Sequence, residues 1–222
     1  EQHGPTGLIG TDALCPEIIA FAAEQKTDML IGPTFNVGIA QHHLGFPGSM
    51  TLRPSTMIAA MKDWTDSLIR HGFERIFWFN GHGGNTATLQ AAFAELYAER
   101  SFQRPGSNSL PDLRLKAKNW WEMPGVMDEC RRQFPTGDGM HATASEVAVT
   151  YAGYPDQVRN VEMSPKIAPI SDFRDADNYR DNFPDGRIGS DPSQATAEKG
   201  EIIIEAAASS LARVFRSFAD EA

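Results

Sequence analysis

The chain has 222 residues, 41% hydrophobic and 22% charged, which suits one globular domain with a full core. Its formal net charge is −9 and no Lys/Arg run exceeds a pair, so nucleic acid and anionic membrane surfaces are excluded as partners. Two cysteines, Cys15 and Cys130, build no disulfide framework; the longest apolar stretches cannot cross a bilayer, and no signal-peptide pattern opens the chain. A reducing cytoplasm and one domain over residues 1–222 are expected. The polar opening Glu1-Gln2-His3 implies a further strand upstream.

In chain order, residues 12–25 read as a helix, with Asp12 near its start and Pro16 in its first turn. Met29-Leu30-Ile31-Gly32 reads as a short buried strand. Residues 35–50 form a long loop rich in Gly and His, a length that points to function or mobility. Met57, Met61, Trp64 and Leu68 recur at helical spacing over 54–70, and Gly72 follows where a cap belongs. A strand at 75–79 leads through Asn80-Gly81-His82-Gly83-Gly84-Asn85 into a helix at 86–99. After a polar loop at 104–111, residues 113–117 alternate like a strand and run into Asn119-Trp120-Trp121. Residues 141–152 and 196–218 read as helices, separated by an Asp-, Pro- and Gly-rich surface excursion at 155–192. Strands alternating with helices predict an α/β fold of three layers: a mostly parallel sheet with helices on both faces and right-handed crossovers.

The chemistry concentrates in three places. His82 stands between glycines at a strand-to-helix turn, where open α/β sheets place their sites. Glu1 and His3 are two apart, so on an extended segment they share a face with Cα atoms about 6–7 Å apart. That spacing serves two adjacent cations, which pair at about 3.5–4 Å in catalytic centres. Asp12 follows Gly10-Thr11, and a carboxylate there can bridge two ions. With Glu146, the set is two histidines and three carboxylates, suited to Zn, Mn or Fe. His141 is five residues before Glu146, about 140° away on a helix, so it belongs at the helix mouth with Glu146 inside. A histidine there can pass a proton from an attacking water to a leaving amine.

Each member has a plainer reading. His82 alone fits a turn histidine or an anion-binding nest, and His141 alone fits a capping or core role. Trp120 and Trp121 fit core or interface, Met57, Met61 and Trp64 fit core, and Asp172 to Asp177 fits a solvated face. His42 and His43 are chain neighbours whose side chains should point apart, which favours a structural role over a metal pair. The weight lies on the joint pattern.

That pattern resembles the creatininase family, the creatinine amidohydrolases and their relatives. Glu1-Gln2-His3-Gly4-Pro5 with Gly10-Thr11-Asp12 is similar to its E-x-H-G-P…G-T-D segment. Residues Asn80 to Asn85 match its N-G-H-G-G-N motif, and His141-Ala142 with Glu146 its H-A-x-x-x-E segment. His43 to Ser49 is similar to its H-x-x-F-P-G-T loop, and Ala195 to Gly200 to a run that opens the last helix. The likeness spans nearly the whole chain.

The resemblance implies Glu1, Asp12 and His82 around one divalent ion, with His3, a bridging Asp12 and a second carboxylate around another. Creatininases take that carboxylate from a Glu two residues after the motif histidine. Here that position is Gly84, and Glu146 is the candidate in its place. Gly83 stands where creatininases usually carry an aromatic, and Ala40 and His42 replace a Ser and a Glu of the family loop. These departures turn the expected substrate away from creatinine itself. The expected activity is hydrolysis of the amide C–N bond of a small polar or cyclic compound, by water activated by two divalent metal ions. His141 is the expected general acid/base, and Gly83, Trp120 and Trp121 the expected substrate-pocket residues. A homo-oligomer, commonly a hexamer, is implied. Rival expectations are a formamide deformylase or ring-opening hydrolase of the same family, and a non-catalytic phosphate- or nucleotide-binding α/β module.

Overall fold

The structure is a computed structural model that describes residues 11–103 and 112–221, excepting the side chain of Asp12. Strands β1 (Arg75–Asn80) and β2 (Arg114–Asn119) pair in parallel, in register from Arg75 opposite Arg114 to Asn80 opposite Asn119. Helix α3 (Thr86–Phe102) lies between them in the chain, as a parallel pair requires. Among the described residues these two strands make the sheet.

Alternation along β1 sets the layers. Phe77 and Phe79 pack into a core with Ile19 of α1 (Thr11–Glu24), Cys130 of α4 (Val126–Gln133), Val149 of α5 (Ala144–Gly153) and Leu211 of α7 (Ala197–Ala219). Trp78, with Leu115 and Ala117 of β2, packs the other way, onto Met57 and Met61 of α2 (Pro54–Arg70) and Leu89 of α3. Opposite faces of one ladder thus carry separate helical layers, the expected three-layer α/β arrangement. Helix α2 follows its pattern: Pro54 opens it with a pre-set φ, Met57, Met61 and Thr65 form its buried stripe, and Gly72 follows at φ +88°. Full burial of Met61 contributes roughly 1.5–3 kcal/mol. Trp64, at the edge of that stripe, is half-buried against Phe35 and Trp78, and Leu68 is exposed.

Several expectations need correction. Residues 29–32 are not a strand: they have no ladder partner among the described residues, and Leu30 is 78% exposed. A short apolar run without a neighbouring strand gains nothing from extension. Helix α1 already includes Thr11, so Pro16 falls in its second turn and cannot donate to the carbonyl of residue 12. Helix α5 begins at Ala144 rather than at 141, while α4 and α6 (Ala176–Asn182) are additional helices. The excursion at 155–192 is more than surface: Tyr179 and Phe183 join Phe46 and Ile188 in a small core of their own. Among the described residues no helix is long and apolar enough to cross a membrane.

Candidate active site

The glycine turn is lashed at both ends by asparagines. Asn80 and Asn119 are level at the ends of β1 and β2, and Asn80 Nδ2 donates to Asn119 Oδ1 at 2.6 Å. The same amide donates to the His82 carbonyl at 2.6 Å, while Asn80 Oδ1 accepts from Asn85 Nδ2 at 3.0 Å. Asn85 Oδ1 in turn accepts the Ile39 N–H at 2.8 Å, which draws the 35–50 loop over the turn.

His82 is thereby presented in extended backbone, with its ring buried and Nε2 2.8 Å from the Ile39 carbonyl oxygen. A carbonyl only accepts, so Nε2 carries a proton and donates it. A ring nitrogen donating to a backbone carbonyl is the usual support of a metal-binding imidazole. Gly84 makes this posture possible. A Cβ there would lie 2.5 Å from His82 Nε2 and closer still to the Ile39 oxygen. The carboxylate that creatininases carry at this position therefore has no room while His82 holds its bond. Gly83, exposed like Gly84, differs in its surroundings: a Cβ on it meets nothing within 4 Å.

Four histidines converge here. His42 and His43 share a 3₁₀ turn (Gln41–His43), and their ring centroids are 4.0 Å apart, contrary to the expectation that they diverge. Successive residues of a 3₁₀ turn are about 120° apart, not the 180° of a strand, and both imidazoles bury on one side. His42 lies near-parallel to His82 at 6.0 Å, and His43 lies 6.1 Å from His82 and 4.3 Å from His141. Tyr179, fully buried, packs 5.3 Å from His42 and 4.8 Å from His43. Residues 172–177 are largely exposed, as expected of a solvated face, but Phe173 lays its ring 4.8 Å from His42.

His141 stands three residues ahead of α5, as its spacing from Glu146 indicated. Ala142 follows it at φ +52°, a left-handed conformation that costs a non-glycine residue about 1–2 kcal/mol. Thr143 is the N-cap, and with Glu146 it forms a reciprocal capping box. Glu146 Oε2 accepts from Thr143 N–H at 3.1 Å and from Thr143 Oγ1 at 2.9 Å, and Oε1 accepts from Thr11 Oγ1 at 2.5 Å. Three of about four lone-pair directions on this carboxylate are thus engaged. The Thr11 bond also ties α5 to the start of α1, one residue before Asp12. Asp138 adds a second cap, accepting Ser145 N–H at 2.8 Å, and burial pushes its carboxyl above the ordinary aspartate range.

Of the expected site residues, the structure brings His82 and His141 into one cluster and ties Glu146 to the beginning of α1. Glu1 and His3 lie outside the described residues, as does the side chain of Asp12. Among the described residues no three His, Cys, Asp or Glu side chains are placed to hold a metal ion. Trp120 is a core residue, 3% exposed, edge-on to a half-buried Trp121 at 5.9 Å. Sequence reasoning missed Tyr179 and Phe173 as neighbours of the site, and it favoured a structural role for His42 and His43. The adjacent pair His42-His43 beside a Phe-Pro-Gly turn was the one signal available for them.

Comparison with known proteins agrees over the full length. The creatininase model, described as creatinine amidohydrolase, matches residues 1–215. Creatinine amidohydrolase of Pseudomonas putida is 27% identical over 97% of this chain and 85% of its own length. The mycofactocin precursor peptide peptidase of Mycolicibacterium smegmatis is 31% identical over 45% of this chain and 42% of its own. Among solved structures, a creatinine amidohydrolase superposes with a TM-score of 0.82 at 22% identity, covering all of this chain and 87% of that one. A manganese creatininase superposes at 0.74 with 25% identity, over 98% of this chain and 86% of that one.

Proposed function

Since the chain belongs to the creatininase family of hydrolases, which act on carbon–nitrogen bonds other than peptide bonds, we propose that it cleaves the amide bond of a small polar or cyclic compound in a centre of two divalent metal ions. The observation that carries this is the posture of His82 at the glycine turn, its ring buried and oriented by the bond from Nε2 to the Ile39 carbonyl, the support usual for a metal-binding imidazole. Glu1, His3, Asp12 and Glu146 complete the proposed ligand set, a mixed nitrogen and oxygen shell that suits Zn, Mn or Fe. Solved relatives include a Zn–Zn form and a manganese form of creatininase variants or enzymes, which supports use of divalent metal. Such ions would supply Lewis acidity and lower the pKa of water toward neutrality.

The chain's own groups do the rest. The ring of His141 accepts the proton of the attacking water and returns it to the departing nitrogen. The bond from Thr11 to Glu146 holds the segment beginning at His141 against the helix that starts with Asp12. Exposed Gly83 leaves room for substrate beside His82, and Trp121 is the half-buried member of the tryptophan pair that remains available as a wall. Two buried cysteines with no disulfide between them and the acidic charge support a cytoplasmic setting and a small-molecule substrate. A homo-oligomer, as the family resemblance implies, completes this reading.

The test joins metal content with turnover. Metal-loaded protein is assayed on creatinine, small formamides, cyclic amides and a short peptide, with bound metal counted by elemental analysis. Asp12→Ala should lose both ions, and His141→Ala should keep them and lose turnover. Glu146→Gln preserves an acceptor for the capping box, so it should fold normally and bind one ion fewer. Unchanged metal in Asp12→Ala, or full turnover in His141→Ala, refutes the assigned roles. A phosphate-binding module would instead bind inorganic phosphate and no stoichiometric metal.

A further inference from the structure

The main chain of His141 is held from a distant stretch of sequence, the returning limb of the 155–192 excursion. His141 N–H donates to the Ile188 carbonyl at 3.4 Å, and the His141 carbonyl accepts Ile188 N–H at 3.3 Å, an isolated antiparallel bridge. Ser190 Oγ donates to that same carbonyl at 2.8 Å. Two donors on one oxygen fix the peptide plane between His141 and the left-handed Ala142. The limbs approach so closely that a Cβ on Gly139, at φ +85°, would lie 2.5 Å from Ser190 Cβ.

Behind Ser190 stands Arg187, 3% exposed. Its Nη1 donates to the carbonyls of Ser190 at 2.9 Å and Lys166 at 3.0 Å, its Nη2 to Pro165 at 2.8 Å, and its Nε to Asp185 Oδ2 at 2.8 Å. One planar guanidinium thus joins the outgoing limb at 165–166 to the returning limb at 187–190, a fork that a lysine cannot reproduce. The same limb also shapes the wall beside the His141 ring. Tyr179 sits edge-on to that ring at 6.2 Å, and its hydroxyl donates to the Gly186 carbonyl at 2.7 Å.

We propose that Ser190 and Arg187 are positioning residues of this active site: Ser190 sets the place of the His141 imidazole through its carbonyl, and Arg187 holds the limb that carries Ser190. This rests on His141 being the acid/base. The alternative is plain scaffolding, in which Arg187 and Ser190 only keep the excursion folded. Misplacing a catalytic group by a fraction of its productive geometry lowers the rate of the chemical step, whereas scaffolding lowers stability alone.

The deciding variant is Ser190→Ala, compared with Thr196→Ala. The latter removes the N-cap of α7, which receives Lys199 N–H at 3.3 Å, and takes a comparable hydrogen bond from a place outside the site. Metal-loaded proteins labelled with ¹⁵N-histidine are compared by imidazole nitrogen–proton correlation, with the His141 signals assigned from His141→Gln. Ser190→Ala should shift the His141 ring signals and lower kcat about tenfold on the best amide of the panel, with KM and metal content unchanged. Thr196→Ala should lower the melting temperature similarly and change neither. Arg187→Lys should reproduce the Ser190→Ala signal shift; where it does not fold, Ser190→Ala decides alone. Ring signals and kcat in Ser190→Ala that match Thr196→Ala overturn the proposal. Full turnover in His141→Gln overturns the acid/base role instead, and the ring signals still report whether Ser190 positions the imidazole.

Discussion

Adjacent glycines at 83 and 84 should respond oppositely to one added methyl group. A Cβ at Gly84 meets His82 Nε2 at 2.5 Å and comes closer still to the Ile39 carbonyl, so the imidazole must leave its hydrogen bond. Losing that bond and leaving a part-buried carbonyl short of its donor costs about 1–3 kcal/mol, and displacing packed neighbours costs a similar amount. Gly84→Ala should therefore destabilise by roughly 2–6 kcal/mol, which for a chain of this length lowers Tm by about 4–24 °C. Gly83→Ala meets nothing within 4 Å and has no left-handed φ, so it should be neutral or stabilise by about 0.4–1 kcal/mol. Urea and thermal unfolding of both variants, each stripped of metal by chelator, measure the difference on the protein alone. Metal titration then reads the second consequence: a displaced His82 should weaken binding about 10–100-fold in Gly84→Ala only. Equal stability of the two variants would refute the account of why a glycine stands at 84.

Two further outcomes follow from burial. Cys130 is 1% exposed and its thiol is pushed up to about 12, chiefly by desolvation and then by the Asp138 charge, while Cys15 is fully buried. The native protein should therefore leave a thiol reagent unreacted at pH 8 and release two equivalents only on unfolding; rapid native labelling would contradict the packing. The Asp138 carboxyl is raised by burial, opposed by hydrogen bonds from Ser145 and helped by the charge of Glu146. A raised native value means the folded state holds the proton more tightly, so this group's stabilisation is complete below about pH 4 and fades as pH rises through the native value. Asp138→Asn, which keeps an acceptor for Ser145 N–H, should gain stability on the wild type as pH climbs from 4 toward neutrality and gain nothing at pH 3. Denaturation midpoints across that range check the sign, and a gain that grows on acidification would reverse it.

Periodic segments were legible in the sequence, and for a physical reason. In α2 the stripe of Met57 and Met61 needs only a period of 3.6 to declare itself, and the alternation at 113–117 likewise announced β2. The glycine turn was legible because its residues have few other uses: glycines beside the His82 ring and asparagines that tie two strand ends. The failures share a cause too. Residues 29–32 have the composition of a buried strand, but composition does not say whether a neighbouring strand is there to pair. The excursion at 155–192 is rich in Asp, Pro and Gly, which reads as surface. Yet Tyr179 and Arg187 bury inside it because their polar atoms find backbone carbonyls that no pattern reveals. His42 and His43 depart from the rule that chain neighbours point apart because a 3₁₀ turn rotates about 120° per residue, a geometry the loop's sequence does not announce.

The departures from the creatininase pattern are spatially linked rather than independent. Gly84 replaces a carboxylate, and the space it leaves is taken by the ring of His82. His42 replaces another, and its ring lies near-parallel to His82 at 6.0 Å, backed by Phe173 and Tyr179. Both exchanges therefore put an imidazole, rather than a carboxylate, at the glycine turn. At the glycine turn the Ile39 carbonyl, not a carboxylate, receives the His82 Nε2–H. In the proposed centre a second ion would draw its charge compensation from the other side of the site, where Glu146 is fixed by Thr11 and Thr143 beside the start of α1. In the proposed centre, the loss at 84 and the fixed carboxylate at 146 are thus two halves of one rearrangement of charge.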